Sequence, residues 1–171
     1  MTTVVAPVAG RVTALAEVPD AVFAEQLVGA GVAVEPSAPP AGDGPAADGP
    51  AADGPASDAA DALVAVVSPI AGELVKVHPH AFVVVDASGT GVLVHVGIDT
   101  VKLAGEGFEL AVSEGATVAA GDLVVRFDPA VVAAAGYSAV VPVVVLDSAP
   151  DSVSQQAVGT TVASGAPLFD L

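Results

Sequence analysis

His95 lies in the run Gly91-Val92-Leu93-Val94-His95-Val96-Gly97-Ile98-Asp99-Thr100, and His80 lies upstream in His78-Pro79-His80-Ala81-Phe82. These are the three histidines of a chain of 171 residues, and all lie between positions 78 and 95. An imidazole titrates near neutral pH, and its two nitrogens can carry a proton, bind a metal or hold a phosphoryl group. A lone histidine in a strand is ordinarily a surface residue or a hydrogen-bonded core residue. Three crowded together in a chain poor in ionisable side chains point to a site. A zinc site needs three or four ligands, which His78, His80 and His95 with Asp99 could supply. A phosphohistidine carrier needs less. One imidazole nitrogen must be exposed and unprotonated, its partner nitrogen must be held by a hydrogen bond, and a second imidazole must face the phosphoryl oxygens.

Strands must position these rings. His80-Ala-Phe-Val-Val-Val85 and Val92-Leu-Val-His95-Val96 read as two strands joined by the turn Asp86 to Gly91, with His80 at the start of one and His95 within its neighbour. An internal repeat surrounds them. Val4-Val5-Ala6-Pro7-Val8-Ala9-Gly10-Arg11-Val12 is echoed by Val66-Val67-Ser68-Pro69-Ile70-Ala71-Gly72-Glu73-Leu74, and the segment from Gly115 to Asp122 is echoed more weakly from Gly159 to Ala166. Short valine-rich strands separated by Gly and Pro, in duplicated units, predict an all-β fold, an antiparallel sandwich or barrel. One short helix is predicted over 129–136, with Asp128 as cap, Pro129 at the first helical position and Gly136 as stop.

Composition bounds the rest. Hydrophobic residues make up 53% and aromatics 4%, so the core is built from Val, Ala and Leu. The length fits one domain over 1–171. From Ser37 to about Ala62 the chain repeats Asp-Gly-Pro-Ala-Ala, which cannot form regular structure and reads as a flexible acidic insertion. A net charge of −16 disfavours nucleic acid as a partner and favours basic proteins. There are no cysteines, hence no disulfides or thiol chemistry. Apolar runs such as Val140 to Leu146 fall far short of the roughly 20 residues that cross a membrane. The opening Met1-Thr2-Thr3-Val4 shows no export signal, so the expected location is the cytoplasm without membrane insertion.

His95-Val-Gly97-Ile-Asp99 resembles the His-x-Gly-x-Asp element of zinc peptidases that cleave bacterial cell walls, and His78-Pro79-His80 their His-x-His element, though in the reverse order. A zinc metallopeptidase-like domain using His95, Asp99 and His80 is the alternative reading. Biotin and lipoate carriers share a repeated β-structure, but neither Lys76 nor Lys102 has their sequence context.

A wider resemblance covers nearly the whole chain apart from the repeat loop. Val94-His95-Val96-Gly97-Ile98-Asp99-Thr100-Val101-Lys102-Leu103 with Gly105-Glu106-Gly107-Phe108 resembles the signature of the glucose-class enzyme IIA of the bacterial sugar phosphotransferase system. His80-Ala81-Phe82 resembles that family's second active-site histidine, and the segments from Val18 to Gly29, Gly31 to Pro36, Arg126 to Asp128 and Thr161 to Gly165 also match. The resemblance implies a flattened β-sandwich or barrel in which His95 accepts a phosphoryl group from the histidine phosphocarrier protein. It implies that His80 stabilises that group, supported by Gly97 and Asp99. The group then passes to a cysteine of a IIB domain of a sugar permease during uptake of glucose or a related sugar such as N-acetylglucosamine. No cofactor is required on this reading, although a zinc ion between His80 and His95 is implied at some partner interfaces. An apolar face of Val22, Phe23, Phe82, Val94 and Val96 is expected to dock partners, regulated transporters or kinases among them. Phe23 is the expected exposed anchor, with a core position as the other option. Where the family often has Thr-Asn just before the second histidine, this chain has His78-Pro79, and His78 is expected to be a solvent-exposed bystander.

Overall fold

Valine-rich runs punctuated by Gly and Pro favour short strands over helices, and the computed structural model, which describes residues 2–36, 63–150 and 152–171, bears this out. The strands are β1 (Thr3–Val5), β2 (Gly10–Ala14), β3 (Gly29–Pro36), β4 (Val64–Val67), β5 (Gly72–His78), β6 (Ala81–Val85), β7 (Gly91–His95), β8 (Phe108–Leu110), β9 (Thr117–Val118), β10 (Leu123–Phe127), β11 (Val141–Leu146), β12 (Thr161–Val162) and β13 (Pro167–Asp170). The largest sheet is antiparallel, in the order β12-β2-β3-β11-β7-β6-β5-β9, and it curls into a half-barrel. Smaller sheets, β4-β10-β8 and β1-β13, complete the fold. The expected 37–62 insertion lies outside the described residues.

The sequence repeat is a structural duplication. The strand order is the same from either end if β2 is matched with β5, β3 with β6, β11 with β7 and β12 with β9. Backbone bonds repeat in the same way. Val5 N–H donates to Pro69 O while Val67 N–H donates to Pro7 O, each at 2.9 Å, tying the halves together reciprocally. Val12 N–H donates to Thr160 O at 2.8 Å, and its counterpart Leu74 N–H donates to Ala116 O at 2.9 Å. The two echoes therefore fold as equivalent units that saturate each other's backbone groups.

Alternation along the strands separates two apolar layers. Val32, Val34, Phe82, Val84, Val92, Val94, Val143 and Val145 face the main core. Ala33 and Val144 face the other way and pack with Leu15, Val18, Phe23, Ile98 and Val140 in a smaller cluster. Central strands covered on both sides explain near-continuous apolar runs such as Val143-Val144-Val145.

The predicted helix exists as α2 (Pro129–Ala134), after α1 (Ala21–Ala24) in chain order. The Asp128 carboxylate accepts from Ala130 N–H at 2.9 Å, and Gly136 has φ 87° beyond its end. Helix α1 is too short to show periodicity. It is capped by Asp20, whose carboxylate accepts from Val22 N–H at 2.8 Å, and it carries Phe23 into the smaller cluster.

Candidate functional site

Register brings the histidines together. The Asp86 carboxylate closes the β6–β7 turn by accepting from Ser88 N–H at 2.8 Å, Ser88 Oγ at 2.6 Å and Thr90 N–H at 3.1 Å. These bonds stabilise the ionised carboxylate and hold Asp86 below its ordinary value, the Ser88 hydroxyl contributing most. From that turn the ladder runs Val85↔Gly91 to Ala81↔His95, and Val96 N–H donates to His80 O at 2.6 Å to extend it. On the other edge β5 pairs His78↔Ala81 around the two-residue turn Pro79-His80. His78, Ala81 and His95 are thus aligned across three strands, with His80 in the turn beside them. His80 sits one position before β6, in the turn itself, where the sequence pattern had suggested the strand's first residue. Its ring lies 5.4 Å from that of His95 at 66°, and 5.5 Å from that of His78 at 18°.

The loop after β7 fixes the His95 ring. The β7–β11 ladder runs Val92↔Val145 to Val94↔Val143. The next pair in that register would be His95 with Pro142, which has no N–H to offer. The chain leaves the ladder there, and Gly97 N–H donates to Val140 O at 3.0 Å while Ile98 N–H donates to Ser138 O at 2.9 Å. Gly97 has φ 79°, and a Cβ on it would lie 2.5 Å from Thr100 Cγ2 and 3.0 Å from Ser138 O. Only glycine fits this bend. Buried Thr100 braces the loop by donating Oγ1–H to Val96 O at 2.6 Å. The result is a Gly97 carbonyl aimed at His95 Nδ1, 2.5 Å away. Since a carbonyl can only accept, Nδ1 carries the proton and Nε2 keeps its lone pair.

Burial lowers the affinity of His95 for a second proton, opposed by the Gly97 carbonyl and the charges of Asp20 and Asp99. Burial also lowers His80, with neighbouring His95 and His78 adding to the effect. Both rings are therefore held toward the neutral form, which leaves a nucleophilic nitrogen available. Asp99, an exposed residue with φ 65°, acts on His95 through its charge, without a side-chain hydrogen bond to it.

The expected apolar docking face is corrected. Phe82, Val94 and Val96 are fully buried in the main core. Successive strand side chains point to opposite faces, so the neighbours of His95 in sequence are turned away from its ring. Phe23 is 6% exposed, and its ring packs edge-on against His95 at 5.2 Å and 60°. It forms a wall of the site and does not project as an anchor. Val22 is 43% exposed as expected. Leu27, whose N–H donates to Val22 O at 3.0 Å, is 66% exposed and was not singled out from the sequence. Its only sequence signal was an apolar residue in a polar stretch.

No group of three or more His, Asp or Glu that could hold a metal is found among the described residues. Without such a group the zinc of the metallopeptidase alternative has no ligand set, and that alternative is not supported. His78 is exposed as expected, and its ring stacks on that of His80. A cleft of about 610 Å³ lined by residues including Thr3, Gln156 and Phe169 contains no histidine. His95 and His80 are half-buried and His78 is exposed. No helix among the described residues is long and apolar enough to cross a membrane.

The fold is a duplicated antiparallel half-barrel that presents His95, its Nδ1 bonded to the Gly97 carbonyl, beside His80. Residues 2–150 match the family described as phosphoenolpyruvate-dependent sugar phosphotransferase system, EIIA 1, and the chain belongs to that family. It is 36% identical over 165 residues to a glucose-specific EIIA component of Bacillus anthracis, covering 95% of this chain and 85% of that protein. It is 38% identical over 144 residues to a glucosamine-specific EIICBA component of Bacillus subtilis (strain 168), covering 83% of this chain and 19% of that longer protein. The solved glucose permease IIA of Mycoplasma capricolum superposes with a TM-score of 0.74 at 29% identity, over 98% of this chain and 93% of that one. The chain is a phosphotransferase component of sugar uptake.

Proposed function

We propose that His95 Nε2 accepts the phosphoryl group from a phosphohistidine of the histidine phosphocarrier protein and passes it to a cysteine thiolate of a permease IIB domain, in the cytoplasm. The observation that carries this reading is the bond from His95 Nδ1 to the Gly97 carbonyl. It places the lone pair on Nε2 and fixes the ring plane. In the first step that lone pair forms the new N–P bond as the donor's P–N bond breaks, and the donor imidazole recovers its electron pair. In the second step a thiolate lone pair forms the S–P bond, and Nε2 recovers its own. The reaction needs position and electrostatics more than covalent help. A His80 N–H aimed at the phosphoryl oxygens stabilises their charge, worth most once a partner covers the site and excludes water. Val22 and Leu27 offer exposed apolar contacts beside the Phe23 wall, and the −16 charge favours a partner with a positive surface. The relatives named for glucose and glucosamine support an amino sugar or glucose as the cargo of the permease. Zinc has no part in this reading.

The test incubates the protein with enzyme I, the phosphocarrier and phosphoenolpyruvate. Wild type is expected to gain one acid-labile phosphate, and His95→Gln none. His80→Gln is expected to accept phosphate but to pass it slowly to the IIB cysteine. A phosphorylated His95→Gln protein would refute the assignment of the acceptor, and normal onward transfer by His80→Gln that of its helper.

A further inference from the structure

The ring of His80 raises a mechanical question that the ring of His95 does not. His95 is fixed by its bond to Gly97. Among the described residues, no hydrogen bond holds the His80 side chain, which sits in a two-residue turn. An imidazole in a turn with no such tether rotates freely about its side-chain torsions, and a donor that must meet a phosphoryl oxygen cannot act well from a rotating ring.

Three features of this chain supply the missing restraint. His78 and His95 are both in register with Ala81, whose methyl group leaves room between the two rings. Pro79 occupies the first corner of the turn, where its ring fixes φ. The His78 ring then lies nearly parallel to that of His80, at 18° and 5.5 Å, while the His95 ring meets it edge-on. His80 is held between two imidazoles.

We propose that His78 is a positioning residue for phosphoryl transfer: its ring, stacked on His80, sets the plane in which His80 meets a phosphoryl group on His95. The inference rests on the assignment of His95 as carrier and His80 as its helper. It requires a flat ring at position 78 and no proton transfer by it.

The variants His78→Ala and His78→Phe separate these features. His78 is exposed, and neither change is expected to alter the melting temperature. In single-turnover transfer from the prephosphorylated protein to the IIB cysteine, His78→Ala is expected to lose about tenfold, the scale of a small misplacement of a reacting group. His78→Phe, which keeps the ring and removes its nitrogens, is expected to transfer within about twofold of wild type. In imidazole NMR spectra of the unphosphorylated proteins, the His80 ring should give one sharp set of signals in wild type and His78→Phe, and rotamer-averaged signals in His78→Ala. Wild-type transfer by His78→Ala, failure of His78→Phe to restore the rate, or an unchanged His80 spectrum in His78→Ala overturns the proposal. Absence of phosphate on His95 in the wild type would instead overturn the carrier assignment, and the NMR arm reads the stacking independently of it.

Discussion

The β2–β3 and β5–β6 connections occupy equivalent places in the two duplicated halves, yet they are built differently. In one half the strands are joined by residues 15–28, which carry a 3₁₀ turn and α1. In the other they are joined by Pro79 and His80 alone. The tight connection supplies chemistry, because a two-residue turn fixes His80 within ring contact of His95. The expanded connection supplies surroundings. Phe23 walls the His95 ring, Asp20 contributes charge, and Val22 and Leu27 face outward. Duplication gave two copies of one hairpin, and the site uses the difference between them.

The sharpest way to break this comparison is to remove the wall. Phe23→Ala should cost about 3 kcal/mol in chemical denaturation, the scale of truncating a buried aromatic, and should lower phosphoryl acceptance as well. Lost transfer with undiminished stability would restore Phe23 to the role of an exposed anchor. Next in size is the bend that aims the carbonyl. Gly97→Ala forces a Cβ into Thr100 and Ser138 O in a left-handed conformation that costs an L-residue about 1–2 kcal/mol before any clash. Slower acceptance together with a lower melting temperature is expected, and unchanged kinetics would show that the His95–Gly97 bond is dispensable.

Smaller effects concern recognition and protonation. Val22→Asp should weaken binding of the phosphocarrier by about fivefold, roughly 1 kcal/mol, with no change in melting temperature. Equal affinity, measured by titration calorimetry, would place the docking surface elsewhere. The pH dependence should be slight near neutrality. Protonation removes the nucleophilic lone pair, and burial lowers His95 from its ordinary value near 6.5. The midpoint of the acceptance profile should therefore lie below 6.5, with acceptance lost as pH falls through it. A midpoint above 6.5 in the rate profile would mean that the Gly97 bond and the charges of Asp20 and Asp99 outweigh burial.

Much of this was legible in the sequence because it rests on local chemistry. The echo of Val4–Val12 in Val66–Leu74 became the reciprocal Val5–Pro69 and Val67–Pro7 bonds. The Asp128-Pro129 start and the Gly136 stop marked α2. The pairing of His80 with His95 followed from two strands and a short turn. What failed was inference from sequence adjacency to spatial adjacency. Val94 and Val96 flank His95 in the chain and face the opposite side of the sheet. Phe23 lies in a segment of loop-like composition, yet a single helical turn buries it. The stacking of His78 on His80 depends on the tight turn at Pro79-His80 that the His78–Ala81 pairing closes, which the run His78-Pro79-His80 did not by itself announce.

The account turns on which nitrogen is free. Heteronuclear ¹⁵N–³¹P NMR of the phosphorylated protein, labelled in its histidines, reads this directly. The bond from Nδ1 to the Gly97 carbonyl predicts a single phosphoryl group on Nε2 of His95, with Nδ1 still protonated. A phosphoryl group on Nδ1 of His95, or on His78 or His80, would contradict it.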